Sequence, residues 1–318
     1  MAVPLPAGDP DVLDVLVTRR DTGSRPGRRT DGLRTALVVE GGGMRGAYTG
    51  GMVRGLAELR LRDSFDEIFG TSSGAYVAAA FATGQGVGAA TIYADDLSGT
   101  RFIDYRRPLA GRGPVMHFDY LIDTVLATSK PLDFDALAES DVPVRPIATL
   151  ATTLRPYALA DLVTPDLWRT ALRATARIPV LAGPPVRLHD RTWIDGSLSE
   201  PIALRRAVDG GATHVLALLS RTRDEHVNPA AVTGRMLTAL VDRAGPGLGK
   251  ALRRRGPLRA ETVAVFDDAA HPLRRGARLL AVRPPVSHRI SALTSDPDRL
   301  RRAADTGTAA IHAAFATR

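Results

Sequence analysis

The sequence predicts an α/β fold built on a mainly parallel sheet. Two short apolar runs, Thr35–Val39 and Phe65–Phe69, are typical of buried strands. Each run leads into a glycine-rich turn and then into a helical segment, so the order strand, turn, helix occurs twice. Because this alternation requires crossover helices between parallel strands, we expect both turns at one edge of the sheet, where ligand sites form in such folds.

The remaining elements follow from apolar periodicity and from turn residues. The two turns should lead into helices from about Gly46 to Leu61 and from Ala75 to about Thr83. The tract 244–257 contains four Gly and two Pro, and it is the segment most typical of a mobile loop. Later strands are predicted at Pro143–Leu150, at Trp193–Asp195, at Thr213–Leu219 and near Arg278–Val282, and helices at His117–Ser129, Pro165–Ala176, Pro201–Val208, about 229–244, about 258–270 and about Pro297–Phe315.

Composition limits the function classes that this chain of 318 residues supports. The chain has no cysteine, which excludes disulfides, thiolate metal sites and a thiol nucleophile. Residues 1–33 lack the apolar core of a signal peptide, and the longest apolar stretch, Ala75–Ala82, is too short to span a bilayer. We therefore expect a cytoplasmic protein that is soluble or bound to a membrane only at its surface.

The net charge of +8 arises from one segment. Residues 250–302 hold 13 basic and 5 acidic side chains, whereas basic and acidic residues balance in the rest of the chain. Such a segment suits peripheral contact with an anionic membrane, and it also suits a solvated arginine-rich surface. We expect no nucleic-acid partner.

The turn Gly70-Thr71-Ser72-Ser73-Gly74 separates the second predicted strand from its helix. The pattern Gly-x-Ser-x-Gly at such a turn is typical of a nucleophilic serine, because the flanking glycines let neighbouring backbone pass and the Ser72 hydroxyl is left exposed. The helix N-terminus then favours developing negative charge. The pattern alone also fits a turn in which Ser72 or Ser73 is only a helix N-cap.

The first turn, Gly41-Gly42-Gly43-Met44-Arg45-Gly46, also matches the dinucleotide-binding pattern Gly-x-Gly-x-x-Gly. The next strand, however, does not end in the acidic residue that a ribose requires. Consecutive glycines instead suit an oxyanion hole, in which each backbone N–H stabilises a tetrahedral intermediate by about 3 kcal/mol. We expect Gly42 and Gly43 to be the main donors, and Arg45 to brace the loop or attract a lipid phosphate.

A nucleophilic serine needs a base, and the candidate is Asp195. The run Trp193-Ile194-Asp195-Gly196-Ser197 places this carboxylate at a strand end, where Gly196 permits close approach of other backbone. An aspartate acts as a base when burial raises its pKa from about 3.9. The residue also fits a merely structural loop or cap, but none of the seven histidines lies in a comparable turn.

Together these three motifs resemble those of the patatin-like phospholipases. Glu40–Gly46 is similar to the family's oxyanion loop, Gly70–Gly74 to its nucleophile elbow, and Asp195-Gly196-Ser197 to its Asp-Gly-Gly/Ala motif. The spacing agrees as well, with 29 residues from the third loop glycine to the serine and 123 from the serine to the aspartate. Position 197 departs from the pattern, because its Ser replaces Gly or Ala and its hydroxyl could bond the aspartate and weaken it as a base.

The resemblance implies a three-layer α/β/α sandwich that hydrolyses phospholipid or other acyl-lipid esters without a metal or cofactor. It implies a dyad of Ser72 as nucleophile and Asp195 as proton acceptor, with oxyanion N–H groups in the glycine loop and with Gly70, Gly74 and Gly196 supporting the turns. It covers about residues 34–220, which we expect to form the catalytic domain. Residues 1–33 would then be an N-terminal extension, and 221–318 a mostly helical extension packed on the same domain.

Two other functions stay open at this point. An esterase with a Ser-His-Asp triad on the α/β-hydrolase fold would depend on one essential histidine. A catalytically weak or non-catalytic lipid- or nucleic-acid-binding protein would instead use the basic segment 250–302.

Overall fold

The structure, a computed structural model, describes residues 6–225, 235–316 and 318. In this part of the chain nine strands form a single sheet. They are β1 (Ala7–Gly8), β2 (Thr35–Val39), β3 (Glu67–Thr71), β4 (Val144–Leu150), β5 (Pro156–Ala158), β6 (Val186–Leu188), β7 (Arg191–Asp195), β8 (His214–Leu218) and β9 (Arg278–Val282). Their order is β1-β9-β8-β2-β3-β4-β7-β6, with β5 beside β4.

The described helices lie between these strands and after the last of them. The α-helices are α1 (Asp11–Asp21), α2 (Gly46–Glu58), α3 (Ser73–Ala82), α4 (Gly86–Asp95), α5 (Phe134–Ala138), α6 (Pro165–Ala176), α7 (Leu204–Asp209), α8 (Arg235–Ala244), α9 (Leu248–Asp267) and α10 (Pro297–Phe315). A π-helix covers Tyr120–Ser129, and short 3₁₀ turns follow β2 at Gly43–Arg45 and β7 at Gly196–Leu198.

The central strands β9, β8, β2, β3 and β4 are all parallel, while β1, β5, β6 and β7 pair antiparallel at the flanks. From β2 the chain passes through α2 to β3 on one side, whereas β8 leads to β9 on the other side. The strand order therefore reverses between β2 and β8. Such a switch point opens a crevice at the carboxyl ends of the strands, and the glycine loop lies there.

The sheet is covered by helices on both faces. Along β2, Leu37 and Val39 belong to one buried core and Ala36 and Val38 to another, as the alternation of side chains along a strand requires. The first core contains the buried residues of α1, α2, α3, α4, α6, α10 and the π-helix, and the second contains those of α7 and of the end of α9. The predicted three-layer α/β/α sandwich with a mainly parallel sheet is confirmed.

Most predicted elements are present with shifts of a few residues at their ends. The second strand begins at Glu67 and runs to Thr71, so it ends directly before Ser72. Helix α4 was not predicted, because its many small residues give little apolar periodicity. The predicted helix at about 229–244 is present from Arg235 to Ala244, and its first residues, 229–234, lie outside the described part of the chain.

The prediction of a mobile loop at 244–257 is wrong for most of that tract, whereas the helix predicted at about 258–270 is present and begins ten residues earlier. Helix α9 covers Leu248–Asp267 and includes Pro257. Leu248 and Leu252 pack against Ile194, and the end of the helix packs in the second core, so tertiary contacts outweigh the local preference of Gly and Pro. The glycine- and proline-rich turn is confined to the residues between α8 and α9.

The described part of residues 1–33 packs on the same sheet as the rest of the chain. Strand β1 pairs with β9, and Asp9 accepts a hydrogen bond from Arg274 at 2.6 Å. In α1 the buried guanidinium of Arg19 bonds both Asp31 and Asp66, each at 2.7 Å. The described part of residues 221–318 likewise contributes three α-helices and β9. The division of the chain into three segments stays a prediction.

Candidate active site

Ser72 lies in a strained turn between β3 and α3. Its backbone has φ 54° and ψ −126°, in the positive-φ region that a residue with a side chain rarely adopts. Its N–H donates to Thr175 Oγ1 at 2.9 Å, and Ala75 N–H donates to its carbonyl at 2.9 Å. Neighbouring structure thus fixes the backbone of this serine.

The Ser72 hydroxyl meets the carboxylate of Asp195. Ser72 Oγ donates to Asp195 Oδ2 at 2.8 Å, and Ser197 N–H donates to the other oxygen, Oδ1, at 2.7 Å. The Asp195 backbone is held as well, because its carbonyl accepts from Thr149 Oγ1 at 2.8 Å and its N–H donates to Arg177 O at 3.0 Å. The structure therefore brings together two residues that lie 123 positions apart in the sequence.

Burial raises the pKa of Asp195, whose side chain is only 1% exposed. The hydrogen bonds from Ser72 and from the Ser197 amide oppose the rise, as do the nearby Ser197 hydroxyl and the positive charge of Arg255. Because burial is the largest of these effects, the pKa of the carboxyl lies above its ordinary value. The hydrogen bond from residue 197 to the carboxylate is donated by its backbone N–H, which a Gly or an Ala would also supply.

The glycine loop lies against the serine turn. A side chain at Gly41 would place its Cβ 2.2 Å from the Thr71 carbonyl oxygen, so only glycine permits this approach. Gly43 has φ 61°, which favours glycine, and a Cβ there would lie 2.5 Å from the Ala292 carbonyl oxygen. Gly42 N–H donates to Ser73 Oγ at 3.0 Å.

Further contacts of the loop come from the C-terminal part of the chain. Met44 N–H donates to the Ala292 carbonyl at 3.1 Å, and Arg45 Nη1 donates to the Ile290 carbonyl at 3.4 Å. Gly46, at the start of α2, packs against the Tyr93 ring. The other predicted glycines, Gly70, Gly74 and Gly196, each lie where a side chain would contact backbone atoms at 2.5 Å or less.

The buried Glu40 ties the loop to both neighbouring elements at the switch point. Its Oε2 accepts from Ser220 N–H at 2.7 Å, directly after β8, and its carboxylate pairs with Arg259 of α9. This pairing and the Ser220 amide lower the pKa of Glu40 although burial opposes them. Glu40 therefore stays ionised and fixes α9 above the ends of β2 and β8.

Ser72 and Asp195 line a pocket of about 390 Å³. Most of its wall is apolar and comes from the first core, with the residues Tyr76, Tyr93, Leu97, Phe102, Met116, Phe118, Leu121, Ile122, Leu172 and Ala176. Arginines from the glycine loop, from the end of β8 and from α9 line the remainder, namely Arg45, Arg221, Arg253, Arg255 and Arg259. Such a pocket suits a ligand with an apolar chain and a polar end.

Histidine and clusters of metal-ligating side chains are not part of this pocket as far as the structure describes it. None of the described histidines lines it, and His226 lies outside the described residues. In the same residues no cluster of His, Asp or Glu is arranged to hold a metal ion. Among the described helices, none combines the length and apolarity needed to cross a membrane.

Several residues that contact the site were not predicted from the sequence. Thr175 and Thr149 come from α6 and β4 and bond the backbone of the serine and the aspartate. Their hydroxyls carry no motif, so no sequence signal identifies them. Arg221 could have been found, because it follows a correctly predicted strand whose end lies at the same edge as Ser72. Arg255 lies in a helix that was predicted as a loop.

Residues 37–208 match the protein family described as patatin-like phospholipase, and they make up more than half of the chain. The chain belongs to the patatin-like phospholipase family. The resemblance that the three motifs predicted is thereby confirmed.

Two further proteins are similar to this patatin-like chain. YjjU, an uncharacterized protein of Escherichia coli (strain K12), is 29% identical over 186 residues, which cover 58% of this chain and 51% of YjjU. The chain thus spans about half the length of this curated relative. VipD from Legionella pneumophila superposes with a TM-score of 0.43 and 12% identity, over 90% of this chain and 67% of VipD.

Proposed function

We propose that this patatin-like protein hydrolyses carboxylic esters of lipids through a dyad of Ser72 and Asp195. The observation that carries the proposal is the 2.8 Å hydrogen bond from Ser72 Oγ to Asp195 Oδ2 in a largely apolar pocket. The raised pKa of the aspartate suits it to accept a proton in the reaction. The strained turn presents the hydroxyl in the way that a nucleophile elbow requires.

In the proposed reaction Ser72 Oγ attacks the ester carbonyl carbon while its proton passes to Asp195. The tetrahedral intermediate collapses, the leaving alcohol takes the proton from Asp195, and an acyl-serine remains. Water then attacks this ester and gives a proton to Asp195. The second intermediate releases the fatty acid, and the proton returns to Ser72 Oγ.

The glycine loop would stabilise the negative oxygen of both intermediates. Among the described residues, none accepts a hydrogen bond from Gly43 N–H, so we assign Gly43 as the first donor. Gly42 N–H is held by Ser73 Oγ, which lines the pocket and keeps its own proton to donate. Met44 N–H is taken by Ala292, so in our assignment it holds the loop in place and does not contact substrate.

The adjacent serines provide a matched test of the nucleophile. Ser72→Ala should lower kcat/KM for a short p-nitrophenyl ester by about 10³-fold or more, because the acyl-enzyme no longer forms. Ser73→Ala should lower it by about tenfold or less, since Gly42 N–H is then released and donates directly. Equal and small losses in the two variants would contradict the proposal.

Two further measurements separate the dyad from the other functions. A serine-reactive fluorophosphonate should label wild-type protein and Ser73→Ala, but not Ser72→Ala, whereas a non-catalytic binding protein would remain unlabelled throughout. A Ser-His-Asp esterase requires a histidine, so a loss of about 10³-fold on replacing any one of the seven histidines would favour the triad.

A further inference from the structure

The pocket carries an excess of positive charge that the proposed dyad does not use. Four guanidinium groups that are at least partly buried, those of Arg45, Arg221, Arg255 and Arg259, line it together with Ser72. Only two of them form ion pairs with carboxylates in the described residues, Arg259 with Glu40 and Arg221 with Glu225.

Arg45 and Arg255 are the two groups left without a carboxylate partner among the described residues. Arg45 is 7% exposed, and its buried Nε has no hydrogen-bond partner there. Arg255 is half-buried on α9 and lines the pocket with Asp195. An unpaired guanidinium that is held away from water is costly, and an anion in hydrogen-bonding reach removes this cost.

Burial and the charges of neighbouring arginines lower the pKa values of Arg45 and Arg255. Burial lowers the pKa of Arg45 to about 9, and the charges of Arg221 and Arg255 add to the decrease. The pKa of Arg255 is also lowered, by burial first, while Asp195 opposes the change. Arg255 is therefore held near the carboxylate of Asp195, yet its pKa stays below the ordinary value.

Two of the four arginines come from a layer of the fold that differs from the layer of the apolar wall. Arg255 and Arg259 lie on one face of α9 with Leu252, at the spacing i, i+3, i+7 that one face of a helix presents. Elsewhere α9 packs in the second core, and it also packs near Ile194 of β7 and Leu198 after that strand. The apolar wall belongs to the first core, on the opposite face of the sheet.

We propose that Arg45, Arg221 and Arg255 bind the phosphate headgroup of a glycerophospholipid while its acyl chain occupies the apolar part of the pocket. Guanidinium groups bind phosphate oxygens through two parallel N–H donors, which makes arginine well suited to this role. The inference deepens the proposed function and rests on it. It selects anionic phospholipids over neutral acylglycerols. Of the three arginines, Arg45 lies within the residues that match the family, whereas Arg221 and Arg255 lie beyond them, after β8 and on α9.

Calorimetric titration of the full-length Ser72→Ala protein tests the site without turnover. The ligands are dioctanoyl phosphatidic acid, dioctanoylglycerol and inorganic phosphate, so that the two lipids share their acyl chains and differ in the phosphate. We expect the phosphatidic acid to bind at least tenfold more tightly than the diacylglycerol. As NaCl rises from about 50 to 500 mM, the affinity for phosphatidic acid should fall, whereas the affinity for diacylglycerol should not. Equal affinity of the two lipids overturns the inference, and so does inorganic phosphate that binds as tightly as the phosphatidic acid.

The adjacent Arg254 gives a matched control on the same helix, because it is exposed and does not line the pocket. Arg255→Gln in the Ser72→Ala background should weaken phosphatidic acid binding about tenfold or more, and Arg254→Gln should change it by less than twofold. Arg221→Gln is a second test if Arg255→Gln lowers the Tm. If Arg254→Gln and Arg255→Gln lose the same affinity for phosphatidic acid, the assignment of phosphate binding to the pocket is contradicted.

Hydrolysis by otherwise wild-type protein separates this inference from the proposed function. The ratio of kcat/KM for phosphatidic acid to that for diacylglycerol should fall about tenfold in Arg255→Gln and stay within twofold in Arg254→Gln. If Ser72→Ala abolishes hydrolysis of both lipids but the wild-type ratio of the two kcat/KM values is close to one, the proposed esterase function is supported and the headgroup site is contradicted. If phosphatidic acid binds through Arg255 but wild-type protein hydrolyses neither lipid, the headgroup site is supported and the proposed esterase function is contradicted.

Discussion

At the scale of single residues, the candidate site combines what the sequence predicts with contacts that it does not reveal. The motifs predicted which serine, which aspartate and which loop would meet, because each lies in a glycine-flanked turn at a strand end. They did not predict that Ser73 would hold the Gly42 amide or that Ala292 would hold Met44. Those partners depend on side-chain rotation and on a distant loop, neither of which leaves a local pattern.

The pH dependence of hydrolysis follows from the burial of Asp195. A base must be ionised to accept a proton, so kcat/KM should fall as the pH decreases through the pKa of Asp195 in the free enzyme. Burial raises that pKa, which places the acid limb above the ordinary aspartate value of 3.8. The measurement is the pH profile of kcat/KM with a neutral ester. An acid limb at or below the ordinary value would show that Asp195 is not the base.

Stability should respond to the same carboxylate in the opposite sense from activity. Because the folded-state pKa of Asp195 lies above the unfolded value, the folded protein binds more protons between the two values, and stability decreases as the pH rises through this window. At neutral pH the buried charge therefore destabilises the fold. Asp195→Asn keeps the shape and can donate to Ser72, so we expect a gain of about 0.5–2 kcal/mol in the free energy of unfolding at pH 7.

Urea unfolding of wild type and Asp195→Asn at pH 7 and near pH 4 measures this effect. The gain should shrink at the lower pH, because the wild-type carboxyl is then partly protonated. Activity should be lost in the variant at both pH values. A variant that is less stable than wild type at pH 7 would mean that the hydrogen bonds of the carboxylate outweigh its desolvation.

At the scale of elements, the sequence predicted the strands of five or more residues well. It did not predict the two- and three-residue strands β1, β5 and β6, and it predicted small-residue or proline-containing helices poorly. Helix α6 was predicted to the residue, because Thr164 caps it, Pro165 opens it and its apolar face is regular. The first half of α9 was predicted as a loop because Gly and Pro disfavour a helix locally, while the packing that stabilises it is with residues far away in the sequence. In that segment the local residue preferences disfavour a helix, but the tertiary contacts stabilise one and outweigh them.

The packing of α2 on α10 can be tested by substituting a glycine at their contact and, as a control, a glycine of α4 that has free space around it. Gly51 of α2 is buried, and a Cβ there would lie 1.8 Å from the Ala304 carbonyl of α10. Gly51→Ala should therefore destabilise the protein by about 1–3 kcal/mol although alanine favours the helix. At Gly88 of α4 a methyl group would have no neighbouring atom within 4 Å, so Gly88→Ala should stabilise by about 0.5–1 kcal/mol.

Thermal or urea unfolding of the two variants gives opposite signs if the helix contact is as close as the structure indicates. Stabilisation by both substitutions would show that α2 and α10 are farther apart. The comparison removes helix propensity from the interpretation, because the same Gly-to-Ala change is made in both helices.

At the scale of the whole molecule, the N-terminal residues are integrated through one buried arginine. Arg19 is 1% exposed and bonds Asp31, Asp66 and Thr35, as well as the carbonyls of Leu33 and Ser64. It links α1 to the start of β2 and to the segment before β3. The sequence indicated nothing of this network, since Arg19 is one of many arginines and its partners lie 12 to 47 residues away.

Removal of this guanidinium should be costly for the entire fold. Arg19→Met should lower the free energy of unfolding by about 3–5 kcal/mol, because several buried acceptors lose their donor. The neighbouring Arg20 pairs only with Asp21 in the described residues, so Arg20→Met should cost less than about 1 kcal/mol. Urea unfolding of both variants checks the difference. Similar small costs would mean that the first helix contributes little to global stability.

The placement of β8 has a consequence for any attempt to isolate the matched region. The family match ends at residue 208, but the strand that pairs with one side of β2 begins only at His214. A fragment cut at that boundary would leave the strand before the glycine loop as an open edge, with unpaired amides and carbonyls that invite intermolecular pairing. The smallest fragment of this chain that folds by itself is therefore longer than residues 37–208, the region that matches the family.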